Sequence, residues 1–370
     1  MNYEIADAGG IPSPQLVFYE DAIDGNIEQA LKDAGGPSRL WPHVKTHKTR
    51  EITKKLIDRG VASFKCATFS ECEMVALCGA KRVLLAYPLV GPNLARFCKL
   101  LSAYPDVKWY ALFDNLEQLE SMSGEASKSG IGKVGIFVDV NVGLNRTGVE
   151  TGDVPGFIEK AMNLPHIMVE GLHCYDGQNG ISDRSEREKR ILSLVRIEEK
   201  LKAECERLVG HELMLIAGGT PEFPCYKEES GFFCSPGTLF LQDHGYQTLF
   251  PDLKYTPAAA VLTRVISNPC RGYFTLDCGY KAIAADPAGP RGVIVGFEDK
   301  ADILFQNEEH WVFKMKPGLE SQCPKVGTVF YVIPTHICPT SALYPYALVI
   351  KDSHVSGKWE IFARNRIINI

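Results

Sequence analysis

RVLLAY at 82–87, KWYALF at 108–113 and VGIFVDV at 134–140 are short, almost unbroken apolar runs set apart by longer polar or amphipathic stretches. Runs rich in Val, Ile, Phe and Tyr without polar alternation suit strands buried on both faces. Outward from these three the texture repeats. LWPHVK (40–45) and SFKCA (63–67) precede them, and IMVEGLHCY (167–175), ELMLIAG (212–218) and GFFCS (231–235) follow. The segments between read as helices. The plainest begins near Ser182, where Asp183 or Ser185 can cap a long charged stretch. Its Ile191, Leu194, Val195, Leu201, Cys205 and Leu208 recur at roughly helical spacing. Eight β/α alternations over about 230 residues fit a (β/α)8 TIM barrel. A doubly wound sheet is the alternative, since strand order is not written in a sequence.

Past about residue 255 the texture changes. AAVLTRVIS, YFTLDCG, GVIVGF, HWVFKM, TVFYVIP and YALVIK are short and punctuated by Gly, Pro, Asn and Asp, as in an antiparallel β-domain. The expected organisation is an α/β chain with a barrel over 15–250 and a β-domain over 251–370 that also takes in residues 1–14.

Composition narrows the function. Of the 370 residues, 45% are hydrophobic and 23% charged, which supplies a large core and rules out disorder of the whole chain. A net charge of 40 − 45 = −5 argues against a nucleic-acid surface. No apolar run approaches the roughly 18 residues of a membrane span, and the acidic start MNYEIADAGG lacks the marks of a signal peptide. The 12 cysteines are scattered, with no CxxC pair, and read as mostly reduced thiols of a cytoplasmic protein.

Barrel enzymes place their chemistry at the C-terminal ends of the strands. Those ends carry Lys45 within HVKTHK, then Lys65-Cys66, Tyr87, the stretch from Asp139 to Asn145-Arg146, and His173-Cys174-Tyr175-Asp176. The last two carry Ala217-Gly218-Gly219-Thr220 and Ser235-Pro236-Gly237-Thr238. Glycine lets backbone N–H groups approach an anion and Thr adds a hydroxyl, so the two final loops suit a phosphate. Each alone would pass for an ordinary β-to-α turn; two of them, in the loops where barrels bind phosphate, favour a phosphate cup. Lys45 at a strand end is costly unless its charge is used or neutralised, as in a Schiff base; a solvated loop lysine is the plainer alternative. One amine and one phosphate cup together make pyridoxal 5'-phosphate (PLP) the economical cofactor.

PHVKTHKT (42–49) resembles the PLP-lysine motif of the D-threonine aldolase and D-serine dehydratase family, a branch of the alanine-racemase-like fold. KCAT (65–68), NVGLNRTGV (141–149), YDG (175–177), the GGT and SPGT loops, DCGYKA (277–282) and PTHICPT (334–340) match it in order. The resemblance spans nearly the whole chain. It implies a PLP-binding barrel with a C-terminal β-domain, the active site at their interface, and a homodimer. It also implies that Lys45 carries the cofactor, Arg146 lies near the phenolic oxygen and Tyr175 near the pyridine ring. Gly218, Gly219, Thr220, Gly237 and Thr238 would then hold the phosphate. One departure is Trp41, where many members have Arg.

His336-Ile337-Cys338 sets an imidazole and a thiol two residues apart. On an extended segment both face the same way, and the pair suits Zn²⁺ with positions left open. In the family this is the metal pair, with H-x-C typical of dehydratases and H-x-D of the better-known aldolases. His173, at the barrel mouth, is a candidate acid or base as well as a candidate core histidine. His47 is a candidate to orient the cofactor or to make a structural hydrogen bond.

The expected function is a PLP- and divalent-metal-dependent lyase acting on a 3-hydroxy-D-amino acid. The leading reaction is D-serine dehydratase-like β-elimination to keto acid and ammonia; the alternative is D-threonine aldolase cleavage to glycine and an aldehyde. A racemase would need a second base and no metal, and a PLP-carrier protein would lack the β-domain.

Overall fold

A computed structural model describes residues 1–227 and 230–370. In chain order, β1 (Gln15–Tyr19) leads into α1 (Glu20–Ala34), followed by α2 (Arg50–Asp58), β2 (Ser63–Cys66), α3 (Phe69–Leu77) and β3 (Arg82–Pro88). Next come α4 (Pro92–Ala103), β4 (Lys108–Phe113), α5 (Leu116–Lys128), β5 (Val134–Asn141), the short β6 (Val149–Glu150), α6 (Val154–Met162) and β7 (Ile167–Cys174). Then follow α7 (Arg184–Val209), β8 (Met214–Ala217), β9 (Phe233–Cys234) and α8 (His244–Leu249). The remaining strands are β10 (Ala259–Ser267), β11 (Tyr273–Leu276), β12 (Gly292–Ile294), β13 (Ala301–Gln306), β14 (Trp311–Met315) and β15 (Val329–Pro334). After α9 (Ile337–Leu343), β16 (Tyr346–Lys351) and β17 (His354–Glu360) complete the chain's regular structure. Two compact units result: residues 30–45, 50–237 and 365–370 in one, and 1–29, 46–49 and 238–364 in the other.

The first unit is the barrel. Strands β2, β3, β4, β5, β7, β8 and β9 pair in that order and all in parallel. The eighth position is the segment expected as the strand LWPHVK, and here the structure differs. Only Leu40 and His43 form bridges, to Cys234 and Lys65. Pro42 has no N–H to donate, so a continuous ladder is interrupted at its centre. The segment still closes the ring, because Trp41 N–H reaches Cys234 O at 2.8 Å while Pro42 O accepts Lys65 N–H at 2.9 Å. The helix expected near Ser182 forms as α7; the Asp183 carboxylate accepts the Glu186 N–H at 2.8 Å as its N-cap.

Aromatic side chains fill the barrel. Trp41, wholly buried, packs with Leu84, Tyr110, Leu112, Phe137 and Ile216. Gly171 makes room for the Phe137 ring, since a Cβ there would collide with that ring and with Met214 O. The Arg82 guanidinium lies 5.4 Å from the Trp41 ring, so Trp41 contributes to the packed barrel interior. Trp41→Ala is expected to cost about 3–5 kcal/mol of stability in a denaturant titration, as large-to-small changes in cores do. Trp41→Phe keeps most of the packing and removes an indole N–H that has no partner among the described residues, so its loss should be well under half of that.

The second unit carries the β-sheet, in the order β13-β14-β11-β10-β1-β16-β17, with β15 pairing both β10 and β12. Pairing is antiparallel except between β1 and β16. Gln15–Tyr19, placed with the barrel from sequence, is a central strand here. Its five residues are all buried, and such an unbroken run fits a central sheet strand as well as a barrel strand. Tyr3, Ile5 and Ile11 pack with Val17 and Tyr19 in the sheet's core. Asp277 is absorbed structurally: its carboxylate accepts from Ser13 Oγ at 2.6 Å, Thr263 Oγ1 at 2.5 Å and Arg264 N–H at 2.9 Å. No helix among the described residues is long and apolar enough to cross a membrane.

Candidate active site

In the barrel unit, the predicted groups gather at the C-terminal ends of the strands. Lys45 is exposed at the end of the closing segment. After β5 the chain turns sharply because Asn141 Oδ1 accepts the N–H groups of Gly143 and Asn145, both at 3.1 Å. Asn145 takes the left-handed conformation that asparagine tolerates. That turn presents Arg146, whose guanidinium sits 4.8 Å from the centre of the Tyr175 ring. His173 is buried, and its Nδ1 lies 2.8 Å from Asp139 Oδ1, while Thr147 Oγ1 donates to Asp139 Oδ2 at 2.7 Å. Burial and then the nearby Lys65 charge hold the His173 imidazole below its usual range. Burial alone would raise the Asp139 carboxyl, but the His173 hydrogen bond and charge, with Thr147 and Arg146, outweigh it and hold it down.

The two glycine loops meet. Gly218 has a φ of +71°, which only glycine adopts without strain, and Gly237 N–H points to Thr220 Oγ1 at 3.4 Å. A Cβ on Gly237 would lie 2.6 Å from His43 O, and one on Gly219 would press on Glu222 and on Tyr175. The Gly219 N–H donates to the Glu222 carboxyl at 3.1 Å. An acidic group of the chain therefore already occupies this donor, as a bound anion would. Burial, then Asp176, push Glu222 up to about 8. Cradles that only glycine leaves open, beside Lys45, Arg146 and Tyr175, fit a phosphorylated aldehyde cofactor.

In the other unit, the expected extended H-x-C segment is not extended. β15 ends at Pro334, His336 stands at the N-cap of α9, and Cys338 lies in its first turn. The two side chains are still coupled: hydrogen bonding and charge from Cys338, with Asp286 adding to them, raise His336 to about 9. Cys338 is pushed up by burial but pulled below its usual value by His336, Thr238 and Thr46. Thr46 Oγ1 lies 3.1 Å and Thr238 Oγ1 3.4 Å from Cys338 Sγ. In sequence, Thr46 follows Lys45 and Thr238 follows Gly237.

Asp286 Oδ2 makes a short hydrogen bond to His336 Nδ1, the carboxylate–imidazole arrangement in which a metal would take Nε2. An imidazole and a thiolate fit a borderline-soft divalent ion such as Zn²⁺. Among the described residues, no group of three or more His, Cys, Asp and Glu side chains converges on one point, so these two would be the protein's own ligands.

His47 is fully buried, its Nδ1 engaged by Thr49 N–H at 3.1 Å. Cys66 and Cys174 are buried thiols. Lys65, Asp139 and Ser235 stand among the strand-end residues of the sequence with no role assigned there, and Asp286 is singled out by no motif. A signal existed for the first two, each a charge inside an apolar strand run. Asp286 lies in an unpatterned loop and gave none.

Residues 19–211 match the family described as alanine racemase, N-terminal domain, and residues 258–350 match a serine dehydratase domain. A D-threonine aldolase from Arthrobacter sp. is 28% identical over 362 residues, covering 96% of this chain and 93% of the relative. A D-serine dehydratase from Saccharomyces cerevisiae is 20% identical, covering 98% of each. Among solved structures, a D-threonine aldolase from Filomicrobium marinum superposes with a TM-score of 0.88 at 24% identity, over 100% of both chains. The architecture is the alanine racemase-like fold.

Proposed function

The chain belongs to the alanine racemase N-terminal-domain family, and we propose that within it this protein is a PLP- and divalent-metal-dependent lyase of 3-hydroxy-D-amino acids. The observation that carries this reading is the His336–Cys338 pair with Asp286 behind it. A racemase has no use for such a pair. PLP, when bound, supplies an aldehyde that condenses with amines and withdraws electrons from the substrate's α-carbon. A divalent ion supplies Lewis acidity toward a hydroxyl.

Lys45 would hold the cofactor through its amine and, when released, take the proton from the α-carbon. Gly218, Gly219, Thr220, Gly237 and Thr238 would hold the phosphate, with Arg146 and Tyr175 against the ring. His173, kept neutral by burial and oriented by Asp139, would move a proton as acid or base. His336 and Cys338 would hold the metal, which leaves coordination positions for a substrate hydroxyl.

The imidazole–thiolate pair favours β-elimination, giving keto acid and ammonia. The Arthrobacter relative favours the second reading, carbon–carbon cleavage to glycine and an aldehyde. Product analysis separates them. Purified, PLP-loaded protein is incubated with D-serine and D-threonine, and keto acid, ammonia, glycine and acetaldehyde are assayed. Keto acid and ammonia are expected. Glycine with acetaldehyde would assign the aldolase reaction, and none of the four would overturn the lyase reading for these substrates.

A further inference from the structure

Four polar side chains of the barrel unit, three from the strands β2, β5 and β7 and the fourth from Ser235 just after β9, meet in one buried row. Asp139 Oδ1 faces His173 Nδ1 at 2.8 Å. His173 Nε2 lies 3.4 Å from Lys65 Nζ, which donates a short hydrogen bond to Ser235 Oγ. Lys65 is 3% exposed and the other three 4% each, so the row is closed off from bulk water. A charge taken out of water is costly unless an anion answers it, and the hydrogen bonds of this ammonium go to an imidazole and a hydroxyl. A Met at the same strand position would fill the space without that cost.

The imidazole's partners define its tautomer. Nδ1 faces a carboxylate and keeps the proton, so Nε2 turns its lone pair to Lys65. Further charged groups surround Lys65. Lys45 and Arg146 oppose its ammonium form, Asp139 and Asp176 favour it, and the Tyr175 ring lies 5.6 Å from Nζ.

We propose that Lys65 is a positioning residue of this active site, acting through His173: it fixes Nε2 and exchanges one proton with it across the Nζ–Nε2 hydrogen bond. When the proton crosses, ammonium becomes amine and imidazole becomes imidazolium, so the charge stays in the row and moves toward Asp139. Burial and then Lys45 bring Lys65 down to about 7, while burial and the Lys65 charge hold His173 below its usual range, so the proton rests mainly on Nζ and the lowered lysine makes its passage to Nε2 accessible. This inference rests on the reading of the barrel mouth as the catalytic site. It adds that the acid–base partner assigned to His173 is a two-residue unit with one shared proton.

The test pairs a spectroscopic reading with kinetics. Histidine-¹⁵N-labelled holoenzyme is titrated from pH 6 to 8, the His173 signals being identified by their loss in His173→Gln. The wild-type Nε2 resonance is expected to move with a midpoint near 7, and Lys65→Met should displace that midpoint by at least one pH unit. In Lys65→Met, kcat should fall about 100-fold, the lower end of what a lost acid–base partner costs, with KM changed less than about threefold. Lys65→Arg, which restores a donor but cannot release its proton, should keep the Nε2 shift and lose the pH dependence of kcat.

A wild-type Nε2 resonance that stays fixed between pH 6 and 8 would overturn the proposal even if no variant folds. So would Lys65→Met spectra and pH profiles that superimpose on wild type. Failure of the wild-type protein to take up PLP would instead overturn the cofactor reading, while the ¹⁵N titration of the same protein still decides for or against Lys65.

Discussion

Lys45→Ala is expected to abolish lyase turnover, by at least about four orders of magnitude, and to remove the visible absorption band of the PLP-loaded protein. Both effects follow from one amine. Lys45 stands exposed where the barrel-closing segment ends, and it is the group assigned both to hold the cofactor and to take the α-proton. Loss of a covalent partner that doubles as the base removes two contributions together. Lys65 provides the internal control. It is also a lysine at a strand end, but it is buried and tied to Ser235 and His173. Were it the cofactor lysine, the visible band would survive in Lys45→Ala and vanish in Lys65→Met. Difference spectra of the two variants after PLP loading and desalting decide this.

His336→Ala and Cys338→Ala are each expected to remove bound metal and lower kcat by about 10³-fold, the several kcal/mol that a Lewis acid gives a departing or ionising hydroxyl. PLP absorption should remain, because these residues lie outside the set assigned to the cofactor. The metal-free pair also sets a pH dependence. His336 is raised to about 9 by the Cys338 hydrogen bond, with Asp286 adding to it, so a metal must displace a proton from the imidazole at every pH below that value. Affinity should therefore climb at least about tenfold per pH unit from 6 toward 9, where the imidazole proton is lost, and then level off. Metal titrations followed by a chelating dye check the slope. A flat profile over that range would mean that His336 is not a ligand.

The barrel was legible because its strands are buried on both faces and so appear as apolar runs; β4 coincides with the expected KWYALF. The closing segment was legible as a strand only in part, since Pro42 breaks its ladder and just Leu40 and His43 form bridges. β13 and β17 are largely exposed. Without an inward face they carry no alternation to read. Gln15–Tyr19 shows the opposite limit, a fully buried run equally suited to either unit. The same distinction holds at the site. Lys45, Arg146 and the glycine loops sit in recognisable motifs, whereas Asp286 is brought to His336 only by tertiary folding.

The central claim, a metal-assisted lyase of 3-hydroxy-D-amino acids, is tested most directly by one stereochemical and metal-dependence measurement. PLP-loaded protein is dialysed against a chelator, then assayed for loss of D-serine, D-threonine and their L-enantiomers before and after Zn²⁺ or Mn²⁺ is restored. The account predicts consumption of at least one D-enantiomer, none of the L-enantiomers, loss of turnover after chelation and its return with metal. Undiminished turnover in the chelated protein, or equal turnover of the L-enantiomer, would contradict it.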